Sequence, residues 1–225
     1  MTGPDSAPGV VAVLASGGLD SAVLVAHLGD QGRVVQPVYV RFGLAWEPVE
    51  EAHLRRFLNA LPHGSGIRPL VVLQEPVAEL YGPHWSVSGD DVPDAASPDA
   101  AVELPGRNLL LLAKSSVWCA LHDVPAIALG TLQGNPFPDS SSEFFDGFST
   151  LVGLGLSHRL SVLTPFAGMT KPEVLQLGRH LRLEDTFSCI DPQDTVHCGR
   201  CNKCAERRRA FVALSIDDDT AYAGR

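Results

Sequence analysis

The sequence predicts an α/β protein with a doubly wound, mostly parallel sheet, followed by a small helical lobe at the C-terminus. Short apolar runs alternate with segments of helical periodicity along most of the chain, which is the pattern of repeated β-α-β units. Right-handed crossovers place the helices of such units on both faces of one sheet. The 225 residues, 45% of them apolar, suffice for one sizeable core and a minor lobe.

The individual elements follow from these runs. Apolar runs predict strands at residues 10–15, 33–41, 69–74, 125–130 and 161–163. Helical periodicity predicts helices at residues 20–30, 48–61, 107–122 and 144–156, and an arginine-rich helix that ends near 214. A further helix is predicted to start at Thr170, because this residue can cap it, Pro172 is tolerated in the first turn and Glu173 completes a capping box.

The domain organisation is predicted from changes in composition. We expect an α/β domain over residues 1–165, a helical lobe over 166–216 and a frayed tail over 217–225. Residues 81–103 are dominated by Gly, Pro, Ser and Asp and show no period, which predicts a long loop that is either functional or mobile.

Charge and hydropathy exclude several classes of protein. Lys and Arg total 17 against 26 Asp and Glu, a net charge of −9, which opposes global binding to a polyanion. The segment Met1–Gly9 has no Lys or Arg and precedes too short an apolar run for a signal peptide, and no apolar run is long enough to span a membrane. We therefore expect a cytoplasmic protein with no membrane partner and with reduced cysteines.

A small-residue loop follows the first predicted strand and suggests an anion site. The loop reads Ala15, Ser16, Gly17, Gly18, Leu19, Asp20 and Ser21. Backbone N–H groups and the helix dipole converge there, and two glycines let the backbone approach a phosphate. Asp20 fits either a helix cap or a partner for phosphate-bound Mg²⁺. On the small residues alone, an ordinary capped β-α turn is an equal alternative.

Four of the five cysteines lie close together near the C-terminus and predict a metal site. They are Cys189, Cys198, Cys201 and Cys204. Four thiolates close a tetrahedral Zn²⁺ shell and leave no position for water, so the expected role of the zinc is structural. The alternatives are an iron–sulfur cluster, replacement of one cysteine by His197 as a ligand, and free structural cysteines. Cys119 lies in an apolar segment and is expected in the core.

The complete string Ser16–Ser21 resembles the PP-loop of the ATP pyrophosphatase superfamily. Together with the segment Leu104–Asn108, the segment Thr170–Glu173 and the cysteine loop, it makes the chain similar to the 7-cyano-7-deazaguanine synthase family of queuosine precursor synthesis, from Val10 to Leu214. The resemblance implies a PP-loop, Rossmann-like fold that binds ATP with Mg²⁺ through residues 15–21, and a homodimer.

The resemblance also implies a reaction. ATP adenylates the carboxylate of 7-carboxy-7-deazaguanine, ammonia displaces AMP to give an amide, and a second ATP activates the amide so that a nitrile forms. We expect Lys171, Arg107 and Asp20 to be catalytic, because departing pyrophosphate needs cations and Mg²⁺, and a guanidinium binds phosphate or carboxylate. Otherwise Lys171 is a solvated first-turn residue and Arg107 a surface charge at a helix start.

Two stretches depart from the family pattern. Phe42-Gly43-Leu44-Ala45-Trp46 stands where the family has Tyr-Gly-Gln-x-His, and the segment Asn135–Ser141 keeps only the Pro and Asp of Ser-Gly-Tyr-Pro-Asp-Cys-Arg. The candidate acceptor-binding residues are Asn108, Asp139, Phe137 and Trp46. The two aromatic side chains either stack on a planar substrate or belong to the core. The ATP-binding segments therefore match the family pattern better than the acceptor-binding segments do, and the changes could alter which acceptor is used.

The remaining alternatives concern activity. The chain is either a synthase of this family, a paralogue that makes only an amide or adenylates another acceptor, an RNA-modifying enzyme, or a nucleotide-binding zinc protein without turnover. Five basic residues near the cysteines bear on the RNA alternative: Arg200, Lys203, Arg207, Arg208 and Arg209. They form either an RNA or phosphate face or, as we favour, a solvated helix surface.

Overall fold

The computed structural model describes residues 9–62 and 66–224. Its strands are β1 (Val10–Leu14), β2 (Val34–Arg41), β3 (Val71–Gln74), β4 (Ala126–Ala128) and β5 (Ser161–Leu163). Its helices are α1 (Leu19–Asp30), α2 (Glu47–Ala60), α3 (Ala78–Tyr81), α4 (Trp85–Ser88), α5 (Arg107–Leu121), α6 (Ser142–Leu156), α7 (Lys171–Leu177) and α8 (Asn202–Leu214). Short 3₁₀ turns lie at Asp99–Val102, Pro138–Ser140 and Leu183–Asp185.

The five strands form one sheet in the order β3-β2-β1-β4-β5, and every adjacent pair is parallel. The predicted doubly wound sheet is therefore confirmed. The chain moves outward from β1 to β3 and then returns to β4 on the other side of β1. In such sheets a crevice opens between the two central strands at their carboxyl ends, which is where ligands bind. The loop after β1 and the residues after β4 meet at this crevice.

Alternating strand residues divide the core into two layers. Leu14, Val38 and Ile127 face one cluster, which α5 and α6 cover. Val13 and Tyr39 face the other cluster, which contains side chains of α1, α7 and α8. Because the side-chain period of a strand is two residues, the two layers are a direct consequence of apolar residues at every position of β1.

The predicted boundary at residue 165 stays a prediction, but the C-terminal lobe has contacts with the sheet domain. Phe166, Leu175 and Phe211 pack in the same apolar cluster as residues of α1. The Phe187 N–H donates a 2.8 Å hydrogen bond to the carbonyl of Gly17, in the loop after β1. The lobe is thereby fixed against the crevice.

The segment 81–103 is more ordered than its composition predicts. It contains α4 and the 3₁₀ turn Asp99–Val102, and the Trp85 ring stacks on Trp46 with a centroid distance of 5.6 Å. Its far end joins the cysteine loop, because the Ala95 N–H donates to the Arg200 carbonyl at 2.9 Å. The stacked tryptophans and the backbone hydrogen bonds thus hold the segment in place, although its sequence has no regular apolar periodicity.

The frayed C-terminal tail is a prediction that the structure contradicts over residues 217–224. Thr220 and Tyr222 are buried, and the Ala223 N–H donates a 2.8 Å hydrogen bond to the His197 carbonyl. The Tyr222 hydroxyl donates to Asp218 at 2.7 Å. The tail therefore covers the cysteine loop, a contact that local composition could not indicate. Across the described residues, no helix has both the length and the hydropathy needed to cross a bilayer.

Candidate active site

The loop after β1 is shaped by close contacts that only small residues allow. Gly17 has a φ of +83°, and a Cβ atom there would lie 3.1 Å from both the Glu50 carbonyl oxygen and the Leu54 Cβ. The Ser21 hydroxyl donates to the Gly18 carbonyl and accepts from the Ser16 N–H, both at 3.2 Å. Gly18 is the N-cap of α1 and supplies no side-chain cap, so the first amides of α1 are open to an anion. This is the geometry expected of a phosphate-binding loop.

Asp20 does not cap α1, but instead begins a chain of alternating charges. Its Oδ2 lies 2.6 Å from the Lys171 Nζ, which also lies 3.1 Å from Glu206. Glu206 in turn lies 2.8 Å from the Lys203 Nζ. The chain joins the first turn of α1 to α7 and α8. Lys171 is thus not the solvated first-turn residue of the alternative interpretation.

The charges of this chain stabilise one another. Burial opposes the charge of Lys171, but Asp20 and Glu206 outweigh burial and raise the pKa of the ammonium above its usual range. Burial would raise the pKa of Glu206, yet Lys171 and Lys203 lower it to about 2. Lys171 and Glu206 are therefore both ionised at neutral pH, and the side chains of two lysines are held beside the loop.

The position of Lys171 follows from the local sequence. It is the first residue of α7, and the capping box predicted at Thr170 and Glu173 is present, with the Thr170 N–H donating to Glu173 at 2.7 Å. The cap fixes where α7 begins and therefore the direction in which the Lys171 side chain extends from the helix.

A cavity of about 300 Å³, the main cavity of this site, lies at the crevice. Its walls come from the loop after β1, the ends of β2 and β4, the start of α5 and the loop before α6. They include Ala15, Ser16, Asp20, Tyr39, Glu50, Arg107, Asn108, Gly130, Thr131, Phe137, Asp139 and Lys203. A smaller side cavity of about 170 Å³ shares Asp20, Glu50, Arg107 and Lys203 with the main cavity and adds Trp46, Lys171, Phe187 and Glu206. The structure thus brings the predicted catalytic residues Asp20, Arg107 and Lys171 together.

Arg107 is the first residue of α5 and lines both cavities. Its Nε atom is buried and has no hydrogen-bond partner among the described residues. A buried guanidinium N–H without a partner is costly, which favours an anionic ligand at this place. Arg107 is thus more than a surface charge at a helix start.

The predicted acceptor residues divide into two groups. Asn108 and Asp139 bind each other: the Asn108 N–H donates to Asp139 Oδ2 at 2.9 Å, and the Asn108 amide donates to the Ser140 hydroxyl at 2.8 Å. Phe137 is half-buried in the main cavity. Trp46 is 4% exposed, stacks on Trp85 and reaches only the side cavity.

Sequence reasoning missed Tyr39, Glu50 and Glu206, which line the cavities, and it placed Lys203 only in the basic group near the cysteines. Glu50 is buried although it is a carboxylate, and Tyr39 donates to it at 2.8 Å. Glu47, Glu50 and Glu51 crowd into the start of α2, and this run of acidic residues was the available signal. Lys203 gave the weaker signal of a lysine between two cysteines.

The four predicted cysteine ligands form one cluster. Their Sγ atoms all lie within 4.8 Å of one another, and the Cys189–Cys201 and Cys198–Cys204 pairs are both 3.9 Å apart. A tetrahedral ion with ligand bonds of about 2.3 Å places its sulfurs about 3.8 Å apart, so the cluster fits Zn²⁺. Backbone N–H groups of Asp191 and Cys198 point at the Cys189 sulfur, at 3.3 and 3.2 Å, as thiolates require.

The two other predictions about cysteine and histidine have clear outcomes. The His197 Nε2 accepts a 3.0 Å hydrogen bond from the Ser188 N–H, and His197 is not part of the cluster of four cysteines. Cys119 is fully buried in the core, as predicted, and burial raises the pKa of its thiol to about 12. A thiol with that pKa is no nucleophile at neutral pH.

Three of the five basic residues near the cysteines lie outside the solvated helix surface that we favoured from the sequence, whereas Arg200 and Arg209 are exposed as expected. Arg207 is 1% exposed and donates to Thr220, Thr186 and the Leu183 carbonyl at 2.7–2.8 Å. Arg208 bonds the Gly199 carbonyl and stacks on the Tyr222 ring, and Lys203 faces the cavities. The prediction was wrong for Arg207, Arg208 and Lys203 because these side chains contact the tail, the cysteine loop and the cavities. The same contacts argue against an RNA-binding face at this helix.

Comparison with known proteins decides the family. The model of the family described as queuosine biosynthesis protein QueC matches residues 10–215. The chain belongs to this family. A 7-cyano-7-deazaguanine synthase of Methanothermobacter thermautotrophicus is 33% identical over 92% of this chain and 96% of its own length. A protein of the same name from Methanocaldococcus jannaschii is 26% identical over 92% of this chain and 96% of its own length.

Solved structures show the fold alone. The predicted subunit of a tRNA methyltransferase from Methanocaldococcus jannaschii aligns with a TM-score of 0.50 at 15% identity, covering 76% of this chain and 74% of that chain. The match agrees with the parallel sheet and flanking helices described above. It carries no statement about substrate.

Proposed function

We propose that this protein is an ATP-dependent 7-cyano-7-deazaguanine synthase. Membership of the QueC family, over residues 10–215, is the observation that carries the proposal. The geometry supports it: an open anion-binding loop, two lysines and an arginine surround a cavity at the switch point of the sheet. The acceptor is the carboxylate of 7-carboxy-7-deazaguanine, ammonia supplies the nitrogen, and AMP and pyrophosphate are released.

ATP binds with its phosphates on residues 15–21. The amides at the start of α1 and the hydroxyl of Ser16 face the triphosphate, while Lys171 and Lys203 approach from the lobe. Attack of the acceptor carboxylate on the α-phosphorus breaks the bond to pyrophosphate, and the two ammonium groups stabilise the negative charge on that leaving group. The adjacent carboxylates of Asp20 and Glu206 hold both lysines in place.

The residues present also fit Mg²⁺. Asp20 Oδ1 is buried and has no hydrogen-bond partner among the described residues, whereas Oδ2 binds Lys171. A free carboxylate oxygen beside a triphosphate site is a typical Mg²⁺ ligand. The ion would add positive charge to the phosphates. Asp20 is therefore assigned to metal binding and to orienting Lys171.

The acceptor lies between Arg107 and the loop before α6. We assign Arg107 to the carboxylate or its phosphate ester, because a guanidinium binds either group with two parallel hydrogen bonds. Asn108 holds Asp139 at the cavity wall, where a carboxylate can accept hydrogen bonds from the ring of the acceptor. Phe137 offers a stacking surface. Trp46 is assigned to the wall of the side cavity.

Cys189, Cys198, Cys201 and Cys204 would hold a structural Zn²⁺ ion. The closed ligand set supplies no open position for chemistry. Its contribution is to fix the start of α8, which carries Lys203 and Glu206 into the site. Phe187, two residues before the first cysteine, ties the same loop to Gly17.

The proposed function is tested by ATP–pyrophosphate exchange with the purified protein. Exchange is expected only when Mg²⁺ and 7-carboxy-7-deazaguanine are both present. A matched acceptor that lacks the carboxylate, 7-deazaguanine, is expected to support none. If exchange follows another carboxylate and not this one, the acceptor assignment is wrong; if ATP binds and no exchange occurs with any acceptor, the protein is a nucleotide-binding protein without turnover.

We also propose a homodimer, formed by the outer faces of α5 and α6. Leu121, Leu151 and Leu154 are 76%, 65% and 80% exposed there, beside the half-exposed Val117 on the same side of α5. A stable interface needs about 800 Å² on each partner and an apolar centre. The exposed leucines of this face supply such an apolar centre.

The double variant Leu121→Glu/Leu154→Glu is expected to be a monomer by size-exclusion chromatography with light scattering, where the wild type is a dimer. Buried carboxylates facing each other across the interface are strongly unfavourable. Leu80→Glu, at a leucine on α3 that is 64% exposed, serves as the control and is expected to stay dimeric. A monomeric wild type, or a dimeric double variant, would refute the assigned interface.

A further inference from the structure

Glu50 is a buried carboxylate in the site, and neither phosphate binding nor metal binding gives it a role. It is 8% exposed, yet it lines both the main cavity and the side cavity. Its backbone carbonyl lies against the phosphate loop, 3.1 Å from where a Cβ of Gly17 would stand. The residue therefore lies beside the position where the acceptor must be activated.

The surroundings of Glu50 are mixed in charge. The Tyr39 hydroxyl donates to its Oε2 at 2.8 Å, and a hydrogen bond from the Trp46 side chain also favours the ionised carboxylate. Glu47, on the same helix, is the nearest acidic neighbour, and Arg107 on α5 is the nearest basic one. The other charged groups of the two cavities are Asp20 on α1, Lys171 on α7 and Lys203 on α8. Glu47 is occupied, because it accepts the N–H groups of Phe42 and Gly43 at 2.6 and 2.7 Å.

We propose that the Glu50 carboxylate is the proton acceptor of the step in which ammonia displaces AMP, an inference that rests on the proposed function. The ammonia nitrogen forms a bond to the acyl carbon, and the bond from that carbon to the AMP oxygen breaks. One N–H proton moves to Glu50, AMP leaves with the electron pair, and the neutral amide remains. The protonated Glu50 then gives its proton to solvent through the cavity.

The acid–base properties of Glu50 suit this role. Burial raises its pKa to about 7, against the opposing effects of Arg107 and of the Tyr39 hydrogen bond. A proton acceptor works best when its pKa is near the working pH, because it is then both largely ionised and sufficiently basic. Glu206 does not meet this requirement, because two lysines lower its pKa to about 2. Asp20 is paired with Lys171, and Asp139 accepts the N–H of Asn108.

The test separates the two half-reactions in a Glu50→Gln variant. Glutamine keeps the shape and an acceptor for the Tyr39 hydroxyl but cannot take a proton. Acceptor-dependent ATP–pyrophosphate exchange is expected to stay within about threefold of wild type, while ammonium-dependent AMP formation falls by about 10²–10⁴-fold. Glu51→Gln is the matched control, because Glu51 is the next residue of α2 but binds Arg41 and Arg55 outside the cavities.

A pH profile distinguishes proton transfer from a structural role. With rates expressed per unprotonated ammonia, wild-type AMP formation is expected to rise through a pH near 7, and Glu50→Gln is expected to lack this limb. Tyr39→Phe removes a hydrogen bond that favours the ionised Glu50 carboxylate and so raises the pKa of Glu50. In this variant the rate of AMP formation is therefore expected to rise at a higher pH than in the wild type.

Each outcome bears on the inference. A Glu50→Gln variant with wild-type ammonium-dependent rates, or one that loses exchange and amide formation equally, would overturn it while leaving the proposed function intact. A wild-type protein that never exchanges pyrophosphate with the acceptor would overturn both.

Discussion

Lys171→Met is expected to lower acceptor-dependent AMP release by about 10²–10³-fold, the usual effect of removing one charge that stabilises a leaving group. The substitution removes the ammonium that lies 2.6 Å from Asp20 and 3.1 Å from Glu206. It also leaves both carboxylates facing the triphosphate without their shared partner. We expect weaker ATP binding and a lower kcat together, measured by calorimetry and by steady-state kinetics.

Lys114→Met is the matched control for this prediction. Lys114 also pairs with a carboxylate, Glu75 at 3.2 Å, but its side chain is 42% exposed and lies outside the cavities. Its activity is expected to equal that of the wild type. Wild-type kinetics of Lys171→Met, in protein with an unchanged circular dichroism spectrum, would show that the lysine has no part in the reaction.

Cys201→Ser is expected to release the metal and to lower Tm by about 8–20 °C, because losing a structural metal costs about 4–5 kcal/mol or more and each kcal/mol shifts Tm by about 2–4 °C in a chain of this size. Cys201 is also the N-cap of α8. The variant is therefore expected to bind ATP more weakly, since Lys203 and Glu206 lie on the first turns of that helix. Metal analysis, calorimetry and ATP titration measure the three effects.

Cys119→Ala provides the comparison for Cys201→Ser. Cys119 is fully buried but belongs to the core, far in sequence from the other cysteines. Its variant is expected to keep the metal and to lose only the small stability of a truncated core side chain. If Cys201→Ser kept wild-type metal content and Tm, the cluster would not be a structural metal site. If the bound metal proved to be iron with labile sulfide, the cluster would be an iron–sulfur centre.

The features that the sequence predicted well are those encoded locally. The glycine pair at 17 and 18 follows an apolar strand, and close approach of the α2 backbone explains why no side chain fits at Gly17. The capping box at Thr170 fixed the start of α7, and cysteine spacing located the metal cluster. Each of these signals lies within about twenty residues, so no knowledge of tertiary packing was needed.

The features that the sequence did not predict depend on contacts between distant segments. Glu50 is buried because α2 packs its first turns against the phosphate loop, and Arg207 is buried because the tail folds back over α8. On a helix, a glutamate or an arginine is usually solvated, and only the tertiary structure shows that these two are not. The segment 81–103 and the tail are ordered although they lack apolar periodicity, because contacts with distant parts of the chain hold them in place.

The altered acceptor segments have unequal consequences in the structure. Leu44 and Trp46 are buried, and Trp46 stacks on Trp85 rather than entering the main cavity. Phe137 and Asp139 remain at the wall of the main cavity. The substitutions near residue 44 therefore change the core around the side cavity, while those near residue 137 change the wall of the cavity in which we propose that the acceptor binds.

The most direct test is mass spectrometry of the product formed from 7-carboxy-7-deazaguanine with ATP, Mg²⁺ and ¹⁵N-ammonium. We expect a nitrile that carries one ¹⁵N atom, with AMP and pyrophosphate released for each activation step. Recovery of unmodified acceptor from protein that binds ATP and holds its metal would contradict the synthase assignment, and a ¹⁵N-amide as the final product would limit the reaction to its first half.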